Sequence, residues 1–212
     1  MSLDTPVVLP DAIADELRAS ILSQSIAPGE TLTESAVAVR FGVARPTAKI
    51  AIERLVADGL LRREAHRAAR VPELTRDDVA DLFDNRAVLE SAAMAALATS
   101  GTIPAEALAA HRELAATHDF ADADIRFHRA LVAGQPSPRL ARLHDLLMGE
   151  VELCIGQVQA AQLLTSAEVA AQHQRILDAI TAGDADAAAA LTRSHIAGAR
   201  DALLSHLEGH HG

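Results

Sequence analysis

The chain has 212 residues, a formal net charge of −10, 50% apolar residues, and only 2% aromatics with no Trp or Tyr. Ala, Leu, Val and Ile must therefore fill its cores, and because alanine is the strongest helix former the composition favours an all-helical fold. The acidic balance argues against binding nucleic acid over the whole surface, and the single Cys154 excludes an intrachain disulfide or a Cys-rich metal motif.

The first twenty residues carry acidic side chains where a signal peptide would be basic, and no window reaches about 18 uncharged apolar residues. A soluble cytoplasmic protein with no membrane partner is expected. The length admits a large domain, or a sizeable one beside a small one.

In chain order, residues 10–22 read as a helix with Ile13, Leu17, Ile21 and Leu22 on one stripe. Pro28-Gly29 marks a turn. Thr33 is placed to cap a short helix over 34–41, without the acidic residue that would complete a capping box. FGVARP then predicts a tight turn at Gly42, followed by a helix from Pro46 with Ile50, Leu55 and Val56 as apolar contacts and Gly59 as its stop. LLRREAHRAARV predicts two short strands joined by a basic tip. Helix, helix, turn, helix and hairpin in this order describe a winged helix-turn-helix, predicted over residues 1–74.

Charge supports that reading. Residues 40–70 carry eight Arg or Lys against Glu53, Asp58 and Glu64, a basic segment in an acidic chain. Arg45 and Lys49 are one turn apart and share a face at the start of the third helix, the end that enters a major groove in such a fold. Arg45, Thr47 and Lys49 are the candidates for contact with bases or phosphates of double-stranded DNA. Arg40, His66 and Arg67 are candidates for positioning the backbone or the wing. A solvated basic surface is the plainer alternative.

Residues 75–212 read as helical throughout. Thr75 is placed to cap a helix over 76–99, followed by helices at 104–117, 120–133, 137–161, 165–182 and 184–207. Six helices of this length suit an antiparallel bundle. The whole chain is thus expected to be mainly α, with a small N-terminal winged domain and a C-terminal helical domain.

The second domain carries a polar set on apolar stripes. Asp124 and His128 are four residues apart in DIRFHRAL, with Phe127 and Leu131 as packing residues. His173 leads into Ile176, Leu177 and Ile180, and His195 follows Ala188 and Leu191. A single inward histidine is more often core than ligand. Three with an inward carboxylate suit a divalent ion such as Zn²⁺, Ni²⁺ or Mn²⁺, drawn from several helices of a bundle. Arg86 could reach the interior and grip an anionic ligand, or pair with Glu90 or Asp81. His111, His118 and His144 read as residues of solvated faces.

PGETLTESAVAVRFGVARPTAKIAIERLVADGLL resembles the DNA-binding domain of the GntR family of bacterial transcription regulators. RAVLESAAMAALA, DIRFHRAL and AQHQRILDAITAGDADAAAALTRSHI resemble the helical FCD effector domain, in its smaller six-helix form. The resemblance implies a metabolite-responsive regulator, usually a repressor, that is a homodimer on palindromic operators and binds a small organic acid. In metal-containing members the ligands are one Asp and three His, which fall here on Asp124, His128, His173 and His195. Effector binding would bias helix positions near residues 72–80. The chain departs from the family pattern at the recognition helix, with Ala44 for a hydroxyl residue, Pro46 one place early and Lys49 for Arg, and at the wing, where Ala68 and Ala69 replace the usual glycine. The operator sequence therefore cannot be borrowed from relatives. Two alternatives stay open on the residues: a metal-dependent hydrolase with Glu90 as a loose candidate base, and a metal-free DNA-binding regulator with core histidines.

Overall fold

The computed structural model describes residues 9–65, 67–117 and 120–209. The chain divides into two compact units, Met1–Glu73 and Leu74–Gly212.

The first unit is built on α1 (Leu9–Leu22), α2 (Glu34–Phe41) and α3 (Arg45–Ala57). The Thr33 hydroxyl accepts from Ala36 N and caps α2. The chain then reverses at Gly42, whose φ of 64° is a left-handed conformation that glycine adopts without steric cost. α3 starts with Pro46 in its first turn and has no side-chain cap. Its buried face is Ala48, Ala51, Ile52 and Leu55, whereas Ile50 is 53% exposed. The expectation that Ile50 packs inward is therefore corrected: it lies in the wrong helical phase.

The wing also differs from the expected simple hairpin. Arg62 bridges Arg70 in antiparallel fashion, and β2 (Ala69–Arg70) also pairs on its other side with β1 (Thr31–Leu32), in the register Thr31↔Arg70 and Leu32↔Ala69. The segment before α2 thus supplies a strand that the turn signal at Pro28-Gly29 hid. Among the described wing residues none has positive φ, so the absent glycine is not required at those positions.

The second unit has six helices among its described residues: α4 (Arg76–Ser100), α5 (Ala105–Ala116), α6 (Ala121–Gly134), α7 (Pro138–Ala160), α8 (Ser166–Thr181) and α9 (Ala185–Gly209). Thr75 with Asp78 and Thr165 with Glu168 form capping boxes at the starts of α4 and α8, each satisfying two backbone donors. α4 lies along α9, α6 is held between α5 and α7, and α8 packs on α9, α4 and α5. Two apolar clusters fill the bundle, one around Phe83, Phe120 and Ile155, the other around Phe127, Leu131 and Ile176. Alanines allow close approach where these helices meet. Gly134 does the same at the end of α6, where an added Cβ would stand 2.2 Å from Pro104 Cγ. No helix among the described residues is long and apolar enough to cross a membrane.

Candidate metal centre and nucleic-acid interface

The acid and three histidines predicted as ligands converge. α6 presents Asp124 and His128 from successive turns, α8 presents His173 and α9 presents His195. One donor atom from each lies within 4.8 Å of the others, and all four side chains are buried. His128 Nε2 is 3.1 Å from His195 Nε2, and Asp124 Oδ1 is 3.1 Å from His173 Nε2 and 3.7 Å from His128 Nε2.

Surrounding side chains fix the rings. His195 Nδ1 meets Gln172 Oε1 at 2.6 Å, and a carboxamide oxygen only accepts, so His195 carries its proton on Nδ1. His128 Nδ1 lies 2.6 Å from Glu90 Oε2, off the line of a well-formed hydrogen bond but against an acceptor-only carboxylate. Both Nε2 atoms then aim their lone pairs at each other, which requires an extra proton on one ring or a cation between them. Phe127 stacks on His173 with centroids 3.9 Å apart and planes 10° apart, so this packing residue also sets a ring plane. His173 Nδ1 and Nε2 and Asp124 Oδ2 are buried with no hydrogen-bond partner. Unpartnered imidazole nitrogen and carboxylate oxygen in one dry place could hold a divalent cation.

The titration directions agree with neutral His173 and His195 beside an ionised acid. Burial lowers His173 to about 4, against the opposing pull of Asp124. Burial, then the nearby His173 and His128, hold His195 well below the usual imidazole value. Burial would raise Asp124, but His128 and His173 together bring it below the ordinary carboxylate range.

Beside this centre lies a second buried set. Arg86 is fully buried, and its Nε donates to Glu90 Oε1 at 2.7 Å. His144 Nε2 reaches the same oxygen at 2.9 Å. Burial would raise the Glu90 pKa, yet Arg86 first and His128 next hold it well below the carboxylate range. Of the two expectations for Arg86, the pairing with Glu90 is the one observed. Nε is spent on Glu90, while Nη1 and Nη2 are buried without a partner and form a free two-pronged donor. The expected place of His144 on a solvated face is corrected, since it is 1% exposed. Its polar neighbours Arg142 and Asp145 masked a stripe through His144, Met148, Val151, Ile155 and Val158, all buried. His111 is half-buried with Nε2 3.1 Å from Gln174 Oε1, and His118 lies outside the described residues. Gln172 carried no signal in the sequence that set it apart from other helical glutamines.

In the first unit, Arg45 and Lys49 are exposed and Thr47 is half-buried on α3. Arg45 contacts the Ser35 hydroxyl on α2, and Lys49 Nζ stands 3.6 Å from Glu53 Oε1. Arg40 donates to Ser20 Oγ at 3.0 Å, and Arg67 lies 3.2 Å from Glu64 on the wing. His66 lies outside the described residues. Arg54 pairs with Asp11 and Arg70 with Glu73, so part of the basic excess of residues 40–70 is turned to internal pairing.

Residues 9–71 match the family of bacterial regulatory proteins called gntR, and residues 81–198, more than half of the chain, match the FCD domain. The chain belongs to the GntR family, in the group with an FCD domain. Regulators of this family bind operator DNA, and FCD domains bind small-molecule effectors. The chain is 29% identical over 176 residues to a "Probable D-xylose utilization operon transcriptional repressor" of Paenarthrobacter nicotinovorans, covering 80% of this chain and 77% of that one. It is 28% identical over 230 aligned positions to a provisionally named L-lactate dehydrogenase operon regulatory protein of Escherichia coli (strain K12), covering 95% and 84%. A crystal structure from Rhodococcus sp. RHA1 described as a GntR transcriptional regulator superposes with a TM-score of 0.73 at 27% identity, over 92% of this chain and 97% of that one. The chain is a transcription regulator with a helical, metabolite-sensing domain.

Proposed function

We propose that this GntR regulator is a repressor and a homodimer, and that its FCD domain binds a divalent ion (Zn²⁺, Ni²⁺ or Mn²⁺) through Asp124, His128, His173 and His195. On this reading residues 1–74 form the DNA-binding domain and residues 75–212 the effector and dimerisation domain, in a soluble cytoplasmic protein. The observation that carries the metal reading is the facing pair of Nε2 atoms of His128 and His195 at 3.1 Å, beside the unpartnered His173 Nε2 and Asp124 Oδ2.

The ion would supply Lewis-acid attraction for an oxygen ligand. The chain's own residues do the rest. Arg86 offers Nη1 and Nη2 to a carboxylate, in a place free of competing solvent, so a small organic acid is the effector class that fits. The L-lactate dehydrogenase operon in one relative's name agrees with that class. Glu90 holds Arg86 by Nε and leaves both Nη groups available. Arg86 and Glu90 lie on α4, which opens the second unit, so displacement of α4 on acid binding is transmitted along the chain towards the DNA-binding unit. In that unit Arg45, Thr47 and Lys49 would contact the operator, with Arg40, His66 and Arg67 on its backbone or at the wing.

Calorimetric titration of untagged, chelator-stripped full chain with Zn²⁺ tests the centre. One ion per chain is expected, with affinity falling in Asp124→Ala and His195→Ala by more than the roughly tenfold lost with a supporting residue. Absence of saturable binding, or indifference to both substitutions, would return these histidines to a proton-sharing core.

A further inference from the structure

Ile50 is 53% exposed on α3, while the inward face of that helix is complete without it in Ala48, Ala51, Ile52 and Leu55, each 0% exposed. Isoleucine is also a weaker helix former than Ala, Leu, Lys or Glu, so neither packing nor helix propensity calls for it there. Isolated apolar side chains on a surface are common and need no partner by themselves. The position of this one is what matters. Arg45, Pro46, Lys49, Ile50 and Glu53 are all exposed and follow the i, i+1, i+4, i+5, i+8 spacing of one helical stripe. Ile50 is therefore the apolar member of a stripe whose two cations, Arg45 and Lys49, lie within about a turn and a half of it. Arg45 is steadied by its contact with Ser35 on α2.

Arg45 and Lys49 outweigh Glu53, which stands 3.6 Å from Lys49, and this net positive charge on a family that binds operator DNA commits the partner of the stripe to duplex DNA. In the major groove the apolar group on a base edge is the C5-methyl of thymine. We propose that Ile50 is a specificity-determining residue that selects a thymine by packing on its methyl group. The inference rests on the reading of α3 as the helix that enters the groove, and it adds a hydrophobic contact to a set otherwise made of charges and a hydroxyl. Arg45 and Lys49 would supply attraction shared by many sequences, and Ile50 would supply discrimination at one base pair.

The test enriches duplexes from a random library on the full chain, then replaces each thymine of the best duplex, one at a time, with deoxyuridine. That exchange removes only the methyl. At one position in each half-site the wild-type chain is expected to lose affinity about fourfold, the equivalent of one buried methyl group. Ile50→Ala should lose the distinction between thymine and deoxyuridine at that position, and Ile50→Val should retain most of it. Because the side chain is exposed, neither substitution should alter the far-ultraviolet circular dichroism of the chain. Equal affinity for both bases at every position, or undiminished discrimination by Ile50→Ala, overturns the proposal. Failure to enrich any duplex overturns the groove-helix reading itself, and the thymine contact with it.

Discussion

Replacement of Arg86 by methionine isolates the buried charge cluster. Methionine keeps much of the apolar stem and removes the guanidinium. The Glu90 carboxylate, 0% exposed, would then face only His128 and His144 among the described residues. Breaking a buried ion pair from one side typically costs about 3–5 kcal/mol, because the remaining charge stays dry and uncompensated. Removing both charges leaves no such charge, so Arg86→Met combined with Glu90→Gln should cost less than the sum of the single changes by about 2 kcal/mol or more. Urea unfolding of the second unit's helical signal, with zinc and with chelator, measures all four corners of this cycle. The double variant should recover stability but not affinity for short carboxylic acids, since the free Nη pair is gone. A loss below about 1 kcal/mol in Arg86→Met, or strict additivity, would show that the Arg86–Glu90 contact does not compensate buried charge.

The remaining predictions concern pH and packing. His173 is held neutral by burial at a pKa of about 4, below its unfolded value near 6.5, so the unfolded chain binds more protons between those limits. Stability of the metal-free chain should therefore be full above pH about 6.5 and fall by roughly 3 kcal/mol towards pH 4, an effect that His173→Phe should flatten. Denaturant midpoints across that window measure it, and a flat wild-type profile contradicts it. Gly134→Ala should destabilise by about 1–3 kcal/mol, because its Cβ would press on the rigid Pro104 ring, 2.2 Å away before relaxation. A thermal melt unchanged by that substitution would show that the α6 end gives way freely.

The fold was readable where local signals were strong. Thr33, Gly42, Pro46 and Thr75 punctuate the helices as their chemistry requires, and all six helices of the second unit fall within a few residues of expectation. β1 was not readable, because two residues beside a Pro-Gly turn carry no periodicity, and only the pairing of Thr31 with Arg70 makes them a strand. The four-residue donor cluster was legible because each member sits on an apolar stripe of its own helix. Its supports were less so. Glu90 has an ordinary i,i+4 relation to Arg86, and nothing local reveals that His144 from α7 and His128 from α6 meet on the same carboxylate. Ile50 is the converse case: an apolar side chain next to buried Ala51 and Ile52 is expected to make apolar contacts, but its helical phase turns it to the surface.

Acid binding at the buried Asp–His centre should be felt by the DNA-binding unit. The most direct measurement is the affinity of the full chain for a library-enriched duplex, taken with zinc and a panel of short carboxylic acids that includes L-lactate. At least one acid should change DNA affinity by about 5–150-fold, and chelation or Asp124→Ala should abolish the change. DNA affinity indifferent to every acid with zinc present, or a response that survives in Asp124→Ala, would contradict it.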